Sequence, residues 1–175
     1  MAKHPTCRRN TDRAPMRIVG WAARRAALFL VVLAMLAGNL SLSASAMRHE
    51  TLKLVTAQGE HTFDVEITET PEEKAQGLMF RSKVPEKSGM LFFYQQPQEI
   101  TMWMRNTYIP LDMVFIRADG VVHRIEARTE PLSEAIIASR GPVVACLELA
   151  GGEARKLGLK PGDRVVHPLF KAGKA

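Results

Sequence analysis

Hydrophobic and polar residues alternate on either side of Gln58-Gly59, with Leu52, Leu54, Phe63, Val65 and Ile67 at every second position of their runs. A period of two sets those side chains on one face of an extended chain, so "TLKLVTAQGEHTFDVEIT" predicts a β-hairpin. In "TPEEKAQGLMFR" the pattern changes. Thr70 stands three residues before Glu73 and directly before Pro71, which is a capping box with proline in the first helical turn. A short helix is predicted over 71–78, with Gly77 at its end or at a close packing contact.

"KVPEKSG" predicts a loop and "MLFFY" a short apolar strand. A strand at 100–104, a break at 105–110 and a strand at 111–117 follow. Asp119-Gly120 marks a hairpin turn that returns the chain through "VVHRIEAR". "TEPLSEAIIASRGP" reads as a loop, "VVACLELA" as an apolar strand, and "GGEARKLGLKPGDRVV" as a helical turn, a tight turn and a last strand. The pattern predicts a mainly β (α+β) domain, a small barrel-like or curled sheet of short strands with two short helices. Its apolar strands do not alternate, which predicts burial on both faces, one by closure of the sheet and one by helices or long loops.

The charge distribution narrows the class of protein. The chain of 175 residues carries +6, but seven basic residues against one acidic precede Met47, and the 17 basic and 17 acidic residues from Met47 onward cancel. The remainder therefore offers no basic surface for nucleic acid. The basic excess belongs to a segment with the three parts of a secretory signal: a basic region ending at Arg24-Arg25, the apolar run "AALFLVVLAMLAG", and Ala44-Ser45-Ala46 as cleavage pattern. Residues 1–46 are predicted to be a signal peptide and 47–175 a single domain. The alternatives are an uncleaved anchor, with Leu40 and Leu42 extending the apolar run, and a start at Met16. In each case the protein is expected to be exported: periplasmic, secreted, or held at the inner membrane by its N-terminal segment.

From Met47 onward Cys146 stands alone, so no intramolecular disulfide is expected, and its apolar surroundings predict a buried thiol. Paired Cys/His metal spacings, a G-x-S-x-G elbow and a phosphate-binding glycine loop are lacking, so neither metal nor cofactor is expected. Met79, Met90, Met102, Met104 and Met113 suggest a thioether site for copper(I), but flexible core filling is the favoured reading. His61, His123 and His167 are scattered and predict satisfied or surface histidines.

The candidate chemistry lies in "MWMRNTYIPLDMVFI", where Arg105, Asn106, Thr107 and Asp112 interrupt apolar sequence. A buried guanidinium or carboxylate must be paired or reach solvent. Three readings stay open. Arg105 pairs with Asp112 across the base of a loop and has a structural role. Alternatively Arg105, Asn106 and Thr107, with Trp103 or Tyr108 as an apolar surface, form a cleft for a small polar or anionic ligand such as a glycan. The third reading is a cell-envelope hydrolase in which Asp112 forms a carboxylate pair with Glu66, Glu126 or Glu148. Arg81, a second cation beside an apolar run, is expected to line that same cleft with Arg105, Asn106 and Asp112.

The ordered blocks "TPEEKAQGLMFR", "GMLFFY", "MWMRNTYIPLDMVFI" and "CLELAGGEARKLGLKPGDRV" resemble domain-of-unknown-function family 192 over about 51–166. Gly77 to Arg81, Trp103 to Asp112 and Gly162-Asp163 match its pattern, with Arg105 where Lys is common and Tyr108 where an aliphatic residue is common. The resemblance implies a compact β-rich, barrel-like domain in a small exported or membrane-anchored protein. It implies no particular activity.

Overall fold

The computed structural model describes residues 47–170; the predicted signal segment lies outside the described residues. Among them, β1 (Arg48–Thr56), β2 (Gly59–Thr68), β3 (Ser88–Met102), β4 (Leu111–Ile116), β5 (Val122–Glu126), β6 (Ile137–Ala150) and β7 (Arg164–Val166) form one sheet. The strand order is β5-β4-β6-β3-β2-β1-β7. Two short helices, α1 (Pro71–Gln76) and α2 (Glu153–Lys156), complete the mainly β fold that the pattern predicts.

The hairpin forms as expected, with Leu52 opposite Phe63 and Thr56 opposite Gly59. The capping box is also present. Glu73 N–H donates to Thr70 Oγ1 at 3.1 Å, and Thr70 N–H donates to Glu73 Oε2 at 3.0 Å. Gly77 fills both roles proposed for it: its φ is 49°, and a Cβ there would stand 2.9 Å from the Phe92 ring. β2 and β3 pair in parallel, and a parallel pair needs a crossover that passes over one face of the sheet. That crossover carries α1.

Two expectations are corrected. The strands predicted at "MLFFY" and 100–104 are one strand, β3, which ends at Met102. Between the pairs Phe93–Ala145 and Gln98–Val143 the register slips, and Pro97, which has no N–H to offer a ladder, lies within that bulge. Likewise β6 begins at Ile137, inside the predicted loop. It passes Arg140 and Gly141 at positive φ, 57° and 155°, and buried Ser139 patches the ladder by accepting from Ile100 N–H at 3.0 Å.

The sheet is buried on both faces where β3, β6 and β4 run through its centre, as the lack of alternation predicts. Val114, Ile116, Leu147 and Leu149 face one core with Leu52, Leu54, Phe63 and Val65 from the hairpin. Leu111, Met113, Phe115 and Cys146 face a second core with Met90, Phe92, Met104 and Leu78. The first is enclosed because the sheet curls until its edges meet: Val121 bridges Arg164, and Val122 N–H donates to Asp163 O at 2.8 Å. The second is covered by α1 and the loops around 77–87 and 103–110.

Asp112, wholly buried, projects from the start of β4 on the side of the first core. Its carboxylate accepts from Gly152 N–H at 2.9 Å, Ala154 N–H at 2.8 Å and Arg128 N–H at 2.8 Å. The expected Arg105–Asp112 pair does not form, because backbone amides at the entrance of α2 already satisfy the carboxylate. Removing it strands three backbone donors, that of Ala154 buried and those of Arg128 and Gly152 partly buried. Asp112→Ala is therefore expected to lower unfolding free energy by about 3 kcal/mol or more in urea denaturation, with Asp112→Asn, which retains one acceptor oxygen, in between.

Candidate ligand-binding groove

Three loops meet outside the second core, and backbone hydrogen bonds tie them together. Phe80 N–H donates to Asn106 O at 2.9 Å, Leu132 N–H to Thr107 O at 3.0 Å, and Met104 N–H to Ser133 O at 3.0 Å. Phe80, Asn106 and Leu132 all have positive φ, between 56° and 64°, a conformation that side chains other than glycine adopt at a cost. Phe80 and Leu132 are nevertheless exposed, as are Trp103, Tyr108 and Ile136. The Phe80 and Tyr108 rings meet edge to face at 6.3 Å between centroids. The three loops thus hold an apolar rim open to solvent.

A groove of about 460 Å³ shares Trp103 and Ile136 with that rim and is walled besides by Pro71, Lys74 and Ala75 of α1 and Phe92, Tyr94, Thr101 and Met102 of β3. A recess of about 20 Å³ adjoins it, sharing Lys74, Ala75, Phe92, Met102 and Trp103 and adding Met79, Thr107 and Glu148. That volume is enough for one water-sized group. A larger hollow of about 720 Å³ beside the β1–β2 hairpin is lined in part by exposed charged side chains, Glu60, Asp64, Glu86, Lys87 and Lys156. It contains no buried polar group left without a partner.

Glu148 distinguishes the recess. It is 4% exposed and makes no hydrogen bond or ion pair among the described residues, although its carboxyl oxygens are not fully enclosed; the fully enclosed side-chain polar atom without a hydrogen bond among those residues is His167 Nε2. Cross-strand register places it in a row that alternates acid and methionine: Glu66 on β2, Met90 on β3, Glu148 on β6, Met113 on β4 and Glu126 on β5. Burial pushes its pKa from the ordinary 4.5 up to about 8, and the Arg81 charge offsets that only in part. Arg81 is itself engaged, forming a two-pronged ion pair with Glu66 in which Nη2 donates to Oε2 at 2.6 Å. Lys74, at the groove wall, turns its ammonium to Thr68 O at 3.3 Å and Glu69 O at 3.2 Å. Burial raises the Tyr94 phenol, and Cys146 and Glu148 add to the effect.

The residues predicted as a cleft separate accordingly. Trp103 and Thr107 line the recess. Arg81 stands behind it, committed to Glu66. Asn106 shapes the loop, accepting at its carbonyl from Phe80 and turning its amide toward Met79 Sδ at 3.9 Å. Arg105 lies outside on the surface, its guanidinium 5.6 Å from the Trp103 ring and its Nε 3.8 Å from Glu134. Asp112 belongs to the opposite face of the sheet from Glu66, Glu126 and Glu148, so the expected carboxylate pair is corrected: one-residue steps along β4 and β6 point these acids in opposite directions. Met90, Met104 and Met113 pack in the second core, and Met104 Sδ accepts from Thr129 Oγ1 at 3.0 Å. Glu148 entered the sequence reading only as a partner for Asp112. The signal that singled out Asp112, a carboxylate within an apolar strand, was equally present in "VVACLELA".

Fold and groove define a small curled β domain that holds one buried acid under an aromatic-rimmed cleft. Its residues 53–167 match the family described as "Uncharacterized ACR", DUF192, and the chain belongs to that family. Among solved structures, the chain is 42% identical to a protein of Sinorhizobium meliloti 1021 described as a candidate transcription regulator. The match covers 71% of this chain and 97% of that one, with a TM-score of 0.68. A protein of unknown function from Novosphingobium aromaticivorans DSM 12444 is 39% identical over 71% of this chain and 89% of its own, also with a TM-score of 0.68. No curated protein matches the chain.

The Glu148 environment gives a pH signature. In the folded chain the carboxyl keeps its proton up to about pH 8, whereas the unfolded chain loses it near the ordinary 4.5. Between those values the native state binds more protons, so stability falls as pH rises through that window. The loss is expected to reach at most roughly 4–5 kcal/mol. Glu148→Gln is expected to flatten that decline and to be more stable than the parent at pH 8, as read by urea denaturation across pH.

Proposed function

We propose that the chain is an exported protein whose domain binds a small molecule in the groove. The apolar body of the ligand lies against Phe92, Tyr94, Met102 and Trp103, and a small polar head reaches Glu148. The observation that carries this reading is Glu148 itself, buried and without a hydrogen-bond partner at the end of an apolar cleft. Such a group costs stability, and perturbed, unpartnered acids in clefts concentrate at functional sites. Recognition of an anion through Arg81 and Arg105 has less support, since one guanidinium is bound to Glu66 and the other lies outside. A glycan would stack on Trp103 and Tyr108 at the rim, but the groove walls favour a ligand with an apolar body. The S. meliloti relative's description raises transcription, yet the balanced charge from Met47 onward offers nothing that tracks a phosphate backbone. Export is supported by the basic, apolar and small-residue order of residues 1–46.

Two measurements test this. Thermal melting of the purified chain with aliphatic and aromatic alcohols, set beside simple sugars, is expected to show stabilisation by the alcohols that Trp103→Ala abolishes. A response to sugars alone would favour the glycan, and no response to either would remove the binding reading. Intact mass of the protein from an exporting cell is expected to begin at Met47; the full mass in a membrane fraction would favour the anchor.

A further inference from the structure

Resting on the reading of the groove as a ligand site, we infer that its ligands are amines, with an ammonium head seated in the recess against the Glu148 carboxylate and an apolar body along the groove. The recess has room for one water-sized group, which suits an –NH₃⁺ head and excludes a carboxylate or phosphate. Its walls include Phe92, Trp103, Met79 and Met102 beside Thr107 and Lys74, whose ammonium is turned to the carbonyls of residues 68 and 69, and aromatic rings are favourable neighbours for a cation. Its one acidic group lacks a counter-ion of its own.

The charged and titratable groups around Glu148 leave that role open. On β2 and the loop after α1, Glu66 and Arg81 neutralise each other, so the guanidinium reaches Glu148 only as a residual field. On α1, Lys74 is directed to the carbonyls of residues 68 and 69 and lies 5.6 Å from the centre of the Tyr94 ring. From β3 and β6, Tyr94 and Cys146 remain neutral, held by burial in their protonated forms. On β4, the facing residue is Met113. A cation entering the recess therefore meets a single acid that its own protein does not satisfy.

Seating an ammonium ionises Glu148. The bound state is R–NH₃⁺ against –COO⁻, and the proton that leaves the carboxyl passes to solvent. Below about pH 8, where the free carboxyl is protonated, each amine bound should release up to one proton, and amine affinity should rise with pH until that point.

The test uses the purified full chain with n-hexylamine and 2-phenylethylamine against the matching alcohols and carboxylates, by calorimetry at pH 7 in buffers of different ionisation enthalpy. The amines are expected to bind at least about tenfold more tightly than the alcohols, as suits a charge-assisted hydrogen bond, with the carboxylates silent. Proton release should accompany amine binding in the parent, and Glu148→Gln should erase both the release and the preference. Equal affinity for amines and alcohols, or amine binding without proton release, overturns the inference while the groove reading survives. Silence of amines and alcohols alike, unchanged by Trp103→Ala, overturns both. The proton-release measurement on the parent stands even where Glu148→Gln does not fold.

Discussion

The buried carboxylate of Asp112 is the constraint on which the arrangement of the loops depends. A charge out of water must collect donors, and here they come from the backbone of two distant segments, Arg128 on one side and Gly152 and Ala154 on the other. The same anchorage sets the groove. Beside Arg128, Thr129 N–H donates to Leu111 O at 2.8 Å, Thr129 Oγ1 accepts from Leu111 N–H at 3.2 Å, and Thr129 Oγ1 meets Met104 Sδ at 3.0 Å. The segment carrying Leu132 and Ile136 is thereby fixed against the one carrying Trp103 and Thr107. A residue on the far face of the sheet thus holds the groove's outer wall, without touching what lies in it.

Asp112 and Glu148 lie on adjacent strands, one step out of register, and answer burial in opposite ways. Asp112 is saturated by backbone N–H groups from two distant segments. Glu148 sits among thioethers and aromatic rings, where nothing donates to it and the neutral form is favoured. One group secures the fold and the other weakens it near neutral pH. The fold gains nothing visible from Glu148 that a glutamine or methionine would not supply.

Much of the fold was legible because local signals agreed with the global answer. The 52–67 alternation, the Thr70–Glu73 box before Pro71, and the unbroken apolar character of 111–116 each reported a structure decided within a few residues. The strand through Pro97 and the early start of β6 were not legible, since both depend on bulges that exist only because each strand has the other as partner. The site was partly legible for a related reason. A polar residue in an apolar run announces itself, but the face it points to follows from register between strands far apart in sequence. Trp103, expected at the end of a strand, and Thr107, expected in the break after it, both line the recess. Arg105 and Asp112, seven residues apart, were separated by the direction β4 takes as it leaves that loop, and Arg81 was claimed by Glu66, fifteen residues upstream on a strand whose parallel pairing with β3 no local pattern reveals.

The row from Glu66 to Glu126 explains why the acid in the recess is left bare. Spacing acids by methionines across β2, β3, β6, β4 and β5 puts Glu148 two strands from Glu66 and two from Glu126. Each outer acid has its own arginine, Arg81 for Glu66 and Arg124 for Glu126, within reach of the sheet's margins. The central acid, flanked by Met90 and Met113, is too deep for either to bond directly. An arginine moved inward would neutralise Glu148 and close the recess; an apolar residue in its place would leave the groove without a polar end. The arrangement keeps one acid without a hydrogen bond or ion pair among the described residues, in a recess that Trp103 and Phe92 help to line.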